Sequence, residues 1–299
     1  MDERTALTQI SDTLTPAGDD AATLPLPTAD NILITTDMLH ESTDFPDGVS
    51  HYTAGWRAVG ASLSDLAAMG ATATAAVAVY GVPAFSASKL SAFLRGASDV
   101  CSVVGAEYVG GDLDTTDELT VATTAIGESR DAVSRSGAAL GDVVCVTDTL
   151  GQTAAALCAF NEGNIDQGNS LFQFTPRVRA GVGLGKYATA MMDSSDGVAR
   201  SLHQLGEASD VGFAITRDDI PVHPTLSEYV SSESEALSQA LTFGEDFELV
   251  FTVPSETLSA AKEACPVSLH AIGEVQSSTG GITLDSEPLP DTGYTHGDE

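Results

Sequence analysis

Apolar positions recur along this chain at two periods, and the switches between them mark its elements. From about Ala54 to Met69, the positions Trp56, Val59, Gly60, Leu63, Leu66 and Ala67 recur at helical spacing, which predicts an amphipathic helix. Lys89 to Val104 predicts a second one. Thr72 to Val79 between them is rich in strand-forming residues, and Leu119 to Gly127 alternates as a half-buried strand does. Asn31 to Thr36 (NILITT) reads as a buried strand that delivers Asp37 at its end, and Glu107 to Val109 leads a strand into Gly110-Gly111.

A boundary is expected near Glu128 to Gly141, where charged and small residues cluster. The pattern then restarts with a strand at Val143 to Thr147, a helix at Gln152 to Phe160 and a polar loop at Asn161 to Asn169. A helical stretch ends near Ala190. A strand from Ala190 to Met192 runs into Asp193-Ser194-Ser195-Asp196-Gly197 and a helix to about Ala208, and Glu248 to Val253 alternates as another strand. Strands and helices interleave in both halves, so two domains of α/β (α+β) class are expected. A chain of 299 residues also exceeds what one hydrophobic core usually serves.

Charge changes the picture next. The chain carries 43 acids against 12 bases, a formal net charge of −31, and its only lysines are Lys89, Lys186 and Lys262. Such a surface repels nucleic acid and anionic membrane. The acids are spread along the whole chain, which points to a globular protein adapted to a very salty cytoplasm rather than to an acidic tail. No run approaches the ~18 apolar residues of a membrane span, and the acidic start, Met1-Asp2-Glu3-Arg4-Thr5, is unlike a signal peptide. A cytoplasmic location is expected. The cysteines (Cys101, Cys145, Cys158, Cys265) form no CxxC pair and have no histidine at ligand spacing, so buried free thiols are expected.

The candidate chemistry lies in where the aspartates sit. Five clusters place acids at a strand end, in a glycine turn or among small residues: Asp19-Asp20 in GDDAA, Asp37 in ITTD, Asp65 in SLSDLAAMGA, Asp112 in GGD, and Asp193 with Asp196 in DSSDG. In so acidic a chain a single aspartate reads first as a solvated charge. Asp65 does not: its helical neighbours Ala58, Ala61, Ser62 and Ala68 are small and uncharged, so something approaches it closely. Asp196 or Ser195 could cap the following helix, and the same helix start would suit a phosphate. Asp193 is not needed for capping. The turn Thr149 to Thr153 (TLGQT) is a second possible phosphate cradle, and Arg135 is either a ligand contact or a surface arginine in a linker. GxxxxGK[ST] and GxGxxG are absent. Carboxylates are the ligands hard cations such as Mg²⁺ take alongside phosphate oxygens. A polyphosphate could approach so many acids only with divalent cations between them, so metal-centred phosphoryl transfer is the leading chemistry.

The ordered set GDDAA, TTDML, SLSDLAAMGA, GGD, SRSGAALGD, DSSDG and GEDFEL resembles the thiamine-monophosphate kinase family, within the aminoimidazole ribonucleotide synthetase-like superfamily. The resemblance runs from about Gly18 to Tyr294. It implies a two-domain fold whose N-terminal sheet domain, residues 1–135, makes a homodimer and binds ATP and Mg²⁺, with a C-terminal α/β domain at 136–299. ATP would lie between the two, and several Mg²⁺ ions would help pass its γ-phosphate to thiamine phosphate. Carried over position by position, Asp20, Thr35, Thr36, Asp37, Asp65, Asp112, Asp193 and Asp196 look like the Mg²⁺ set. Asp65, Asp112, Asp193 and Asp196 are the catalytic candidates. Gly111, Asp112, Arg135 and Ser195 look like ATP contacts, and Asp44, Glu245 and Tyr294 look like substrate contacts.

The chain also departs from the pattern. Asp44 stands where the family commonly has a histidine, Leu113 follows Asp112 in place of threonine, Asp148 replaces the glycine of a Thr-Gly-Thr turn, and Phe243 stands where glycine is common. An ionised Asp44 would face a cation, an additional Mg²⁺ or a thiazolium, unless the loop is shifted and His40 makes the contact. Two other readings fit the same motifs: another ATP-using synthetase of the superfamily, and a catalytically silent acidic metal-binding scaffold.

Overall fold

The computed structural model describes residues 18–26 and 30–294. Strands β1 (Ala22–Leu24), β2 (Asn31–His40), β3 (Thr72–Val82), β4 (Glu107–Thr115) and β5 (Thr120–Ser129) form one sheet in the order β1-β2-β5-β3-β4. It is antiparallel except for the β3–β4 pair. Those two run parallel because a helical crossover lies between them.

Helix α1 (His51–Ala68) precedes β3, and α2 (Ala87–Val104) is the crossover. Ser50 caps α1 by accepting the Thr53 N–H. The two helices cross at glycines: a Cβ on Gly96 would stand 1.9 Å from the Tyr52 carbonyl oxygen. The helices cover one face of the sheet. The other face leaves Met38, Val77, Val79 and Ile126 exposed.

The second sheet draws β6 (Val143–Thr147), β7 (Ala190–Asp193), β8 (Val211–Ile215), β9 (Leu249–Val253), β10 (Leu269–Ser277), β11 (Ile282–Leu284) and β12 (Glu287–Pro288) into the order β12-β11-β8-β10-β6-β9-β7. Helices α3 (Gln152–Asn161), α4 (Ile165–Phe172), α5 (Val178–Leu184), α6 (Val198–Ser209) and α7 (Glu233–Thr242) belong to this half. One apolar cluster joins the halves, taking Leu33, Val59, Leu63 and Leu66 from the first and Cys145, Met191, Leu249 and Phe251 from the second. Helix α1 is the shared element, packed on β2 and β5 and also on α5 and β7. Among the described residues, no helix is long and apolar enough to cross a membrane.

Three expectations need correction. β2 does not stop at Asp37, because its pairing with β5 continues to His40↔Thr120, so Asp37 lies within the strand. Gly110-Gly111-Asp112 is no turn: β4 runs through it, with a register shift beside Val109, and stays paired with β3 to Thr115. The polar stretch 161–169 is not all loop, since α4 starts at Ile165.

Candidate active site

Four carboxylates meet where α1 wedges between the sheets. Asp193 closes β7 and is buried, and α1 meets it with Ser64, whose Oγ donates to Asp193 Oδ2 at 2.5 Å. One residue further along α1, Asp65 Oδ2 accepts the hydroxyl of Thr35 from β2. Carboxylate oxygens of Asp20, Asp65 and Asp193 lie within 4.8 Å of one another. Asp37 adjoins them, its Oδ2 accepting Ser62 Oγ at 2.5 Å, and Ser62 also bonds Thr123 Oγ1 at 2.7 Å. Asp65 thus stands among small residues because three other carboxylates share its space.

Crowding and burial act together on these acids. Burial pushes Asp65 well above the ordinary carboxylate range, with Asp37, Asp193 and Asp20 adding to the rise and the Thr35 bond opposing it. Burial likewise raises Asp193 to about 7, with Asp20 and Asp37 adding and Ser64 and Arg135 opposing. Asp37 is raised by burial against the Ser62 bond, and Asp20 adds to it. A cluster of anions that resists ionisation is one that a cation would relieve.

Arg135 is no free surface arginine. Its Nε and Nη2 hold the two oxygens of Asp20 at 3.1 and 2.9 Å, and its N–H donates to Asp19 Oδ1 at 2.8 Å. The linker between the sheets is thereby fastened to the first acid turn.

Asp193 opens a loop that joins this cluster to a second pole. The Ser195 carbonyl accepts the Glu245 N–H at 2.7 Å, and the Asp196 carbonyl accepts the Tyr294 N–H at 3.1 Å. Ser194 exchanges bonds with Glu248, by N–H to carbonyl at 2.9 Å and by Oγ from the Glu248 N–H at 3.1 Å. The N-cap position of α6 falls on Gly197, at φ 98, and on neither Ser195 nor Asp196. The capping reading of Ser195 and Asp196 therefore fails.

The second pole is a cavity of about 380 Å³. Asp44, Phe45, Phe172, Phe243, Glu245 and Tyr294 are among its lining residues, so all three expected substrate contacts meet on one wall system. Acids beside aromatic rings suit a flat organic cation. Asp44 Oδ2 also accepts the His40 N–H and the Thr43 hydroxyl, both at 2.7 Å. The His40 ring turns elsewhere, with Nδ1 3.3 Å from Thr120 Oγ1 and 3.7 Å from Glu118.

Two expected metal residues do not join the cluster in this chain. Strand alternation turns Thr35 and Asp37 toward α1, so Thr36 faces the other way, exposed, donating to the Thr123 carbonyl at 2.6 Å. Asp112 pairs with Val79, which pairs with Ala122, which pairs with Met38. That puts it three strands, roughly 14 Å, from β2, on the outer face and bonded to the Leu113 N–H. Gly111 is needed for packing as well, since a Cβ there would stand 1.7 Å from the Ala78 carbonyl oxygen. The TLGQT turn holds no open cradle. Asp246 occupies it, accepting the Gly151 and Thr153 N–H groups. Sequence reasoning missed Asp246 as well as Ser62, Ser64 and Arg57. The serines had one signal, their place beside Asp65 in SLSDL.

A two-sheet protein with a carboxylate cluster at the seam is the class this geometry defines, and residues 18–129 match the family described as AIR synthase related protein, N-terminal domain. Over 99% of its length the chain is 54% identical to the thiamine-monophosphate kinase of Halobacterium salinarum, all of which is covered. It is 38% identical to that of Methanospirillum hungatei, with 99% of each chain covered. The solved structure of AaThiL complexed with AMPPCP and TMP superposes with a TM-score of 0.89 at 27% identity, covering 99% of this chain and 97% of that one. The thiamine-monophosphate kinase of Stenotrophomonas maltophilia gives 0.80 at 30% identity, over 95% and 94%. The chain belongs to the thiamine-monophosphate kinase family.

Proposed function

We infer that this chain transfers the γ-phosphate of ATP directly onto thiamine monophosphate, yielding thiamine diphosphate and ADP. The observation that carries this reading is the convergence of Asp20, Asp65 and Asp193 from both halves, joined by one loop to the cavity of Asp44, Glu245 and Tyr294. The relative whose structure holds AMPPCP and TMP supports the pairing of substrates.

The donor set fits Mg²⁺: clustered carboxylate oxygens, among which the raised affinity of Asp65 and Asp193 for protons goes with burial and a shortage of positive charge. Asp20, Asp65 and Asp193 would hold it, with Asp37 beside them and Asp196 further along the loop that Asp193 opens. When bound, Mg²⁺ supplies neutralisation between anions that otherwise repel. The chain's own residues do the positioning. Ser62, Ser64 and Thr35 orient the carboxylates, Arg135 ties the first acid turn to the linker, and Glu245 and Asp44 offer negative charge to a thiazolium. The attacking group is an anionic phosphate oxygen of the substrate, so no strong general base is needed. Its bond to the γ-phosphorus forms as the bond to the ADP oxygen breaks.

Division of labour follows the two sheets, with residues 1–135 carrying most metal ligands and 136–299 most of the substrate cavity. The exposed strip of Met38, Val77, Val79 and Ile126 supports a homodimer through the first sheet. Asp112 shares that outer face, so a metal or nucleotide role for Gly111 and Asp112 belongs to a site completed between two copies. The charge of −31 supports a salty cytoplasm as the working medium.

The test is to incubate the protein with ATP, MgCl₂ and thiamine monophosphate in molar KCl and follow phosphorus NMR. Thiamine diphosphate and ADP should appear together. Release of inorganic phosphate alone, or no turnover, would refute the assignment.

A further inference from the structure

Arg57 has no part in the metal cluster, yet its surroundings are unusual for an arginine. It sits on α1 with 0% of its surface exposed. A buried guanidinium is costly unless its donors are used, and here they are spent on two residues of the substrate cavity. Nη2 donates to both the carbonyl and the carboxylate of Glu245, at 3.0 and 2.8 Å. Nη1 donates to the carbonyl of Phe172 at 3.0 Å, and the guanidinium carbon stands 3.7 Å over the Phe172 ring. Nε has no hydrogen-bond partner.

Glu245 needs such a hold. Its backbone is left-handed, at φ 57, which is unfavourable for a residue with a side chain. Thr153 Oγ1 also donates to its carbonyl, at 2.7 Å. The Glu245 side chain remains 28% exposed while that of Arg57 is fully covered, so the carboxylate has one side on the arginine and one toward the cavity. Arg57 itself is not among the cavity-lining residues.

We propose that Arg57 is the positioning residue for thiamine-phosphate recognition, holding Glu245 and Phe172 from behind the cavity wall so that carboxylate and ring present one fixed surface to the substrate cation. This rests on the reading of Glu245 as a substrate contact. It also makes the substrate cavity depend on α1, the helix that carries Asp65, and so ties cation recognition to the phosphate-side machinery.

The test compares Arg57→Gln, Arg57→Lys, Glu245→Gln and the Arg57→Gln/Glu245→Gln double variant, all in molar KCl, with KM for each substrate, kcat and Tm recorded. Arg57→Gln should raise KM for thiamine monophosphate at least about tenfold and leave KM for ATP within about twofold. Arg57→Lys, which keeps the charge but not the fork, should recover part of that loss. The double variant should fall short of the sum of the two single losses, because the arginine acts largely through the glutamate. If Glu245→Gln raises the substrate KM but Arg57→Gln does not, the positioning role is wrong while the site stands. If Glu245→Gln is silent, the assignment of Glu245 fails and this inference with it. Equal rises in both KM values, or additive effects in the double variant, would reduce Arg57 to a structural residue. Should Arg57→Gln not fold, Arg57→Lys decides: a selective rise in the thiamine-phosphate KM supports the role, and unchanged kinetics overturn it.

Discussion

Replacing Asp65 by asparagine should do two opposite things, making the metal-free protein more stable and abolishing turnover. Asp65 lies within 4.8 Å of carboxylate oxygens from both Asp20 and Asp193. At that separation two unit charges repel by about 1 kcal/mol in a water-like medium and about 3.5 kcal/mol at an effective dielectric of 20. Burial, with this repulsion added to it, holds Asp65 well above the usual range, so the native site escapes part of the cost by keeping protons. Asparagine still offers an oxygen to the Thr35 hydroxyl and removes both repulsions, so a net gain of about 1 to 3 kcal/mol is expected at pH 8. For a chain of this size that is a Tm rise of roughly 2 to 5 °C.

The pH sense follows from the direction of the shift. A carboxyl whose folded pKa is raised contributes stability below its unfolded value and loses it as pH rises through the folded one. The gap between variant and parent should therefore be widest above about pH 7, where Asp193 has also ionised, and shrink toward pH 5. Differential scanning fluorimetry in molar KCl with a chelator measures it. Adding Mg²⁺ should reverse the order, stabilising the parent far more than Asp65→Asn, and the variant should lose at least about a hundredfold in activity. A variant less stable than its parent at pH 8 without metal, or one active within a few-fold, would refute the reasoning.

Asp44→Asn keeps the acceptor for the His40 N–H and removes only charge, so it should raise KM for thiamine monophosphate several-fold and spare KM for ATP. His40→Ala should do little, since its ring faces Glu118 and Thr120, and the reverse pattern in steady-state kinetics would show the loop is misassigned. With a net charge of −31, Tm should climb as KCl rises from millimolar to molar and surface repulsion is screened; a flat profile would contradict this. Gly111→Ala should cost more than about 3 kcal/mol in chemical denaturation, because its Cβ would meet the Ala78 carbonyl oxygen at 1.7 Å and its φ is 152, and a variant as stable as its parent would mean β4 can move aside.

Periodicity determined the elements. The helical repeat of 54–69 became most of α1, and alternation in 119–127 became β5, because side chains on one element face the same way whatever lies opposite. The motif acids were equally legible, since a lone Asp65 among alanines already implies a close neighbour. Which acids would meet was not legible, because convergence depends on strand register and on how α1 lies against both sheets. Asp20, Asp37, Asp65 and Asp193 come from four separate segments and share a site only through that packing. Asp112 and Thr36 carry the same motif signal, yet strand order and the two-residue alternation of β2 send them to the outer face. Asp246 looked like its neighbour Glu245 in GEDFEL, until the fold brought it to the start of α3, where the free amides of Gly151 and Thr153 take its carboxylate. Arg57 gave no local sign at all: its partners lie 115 and 188 residues away, a separation that only the completed tertiary structure closes.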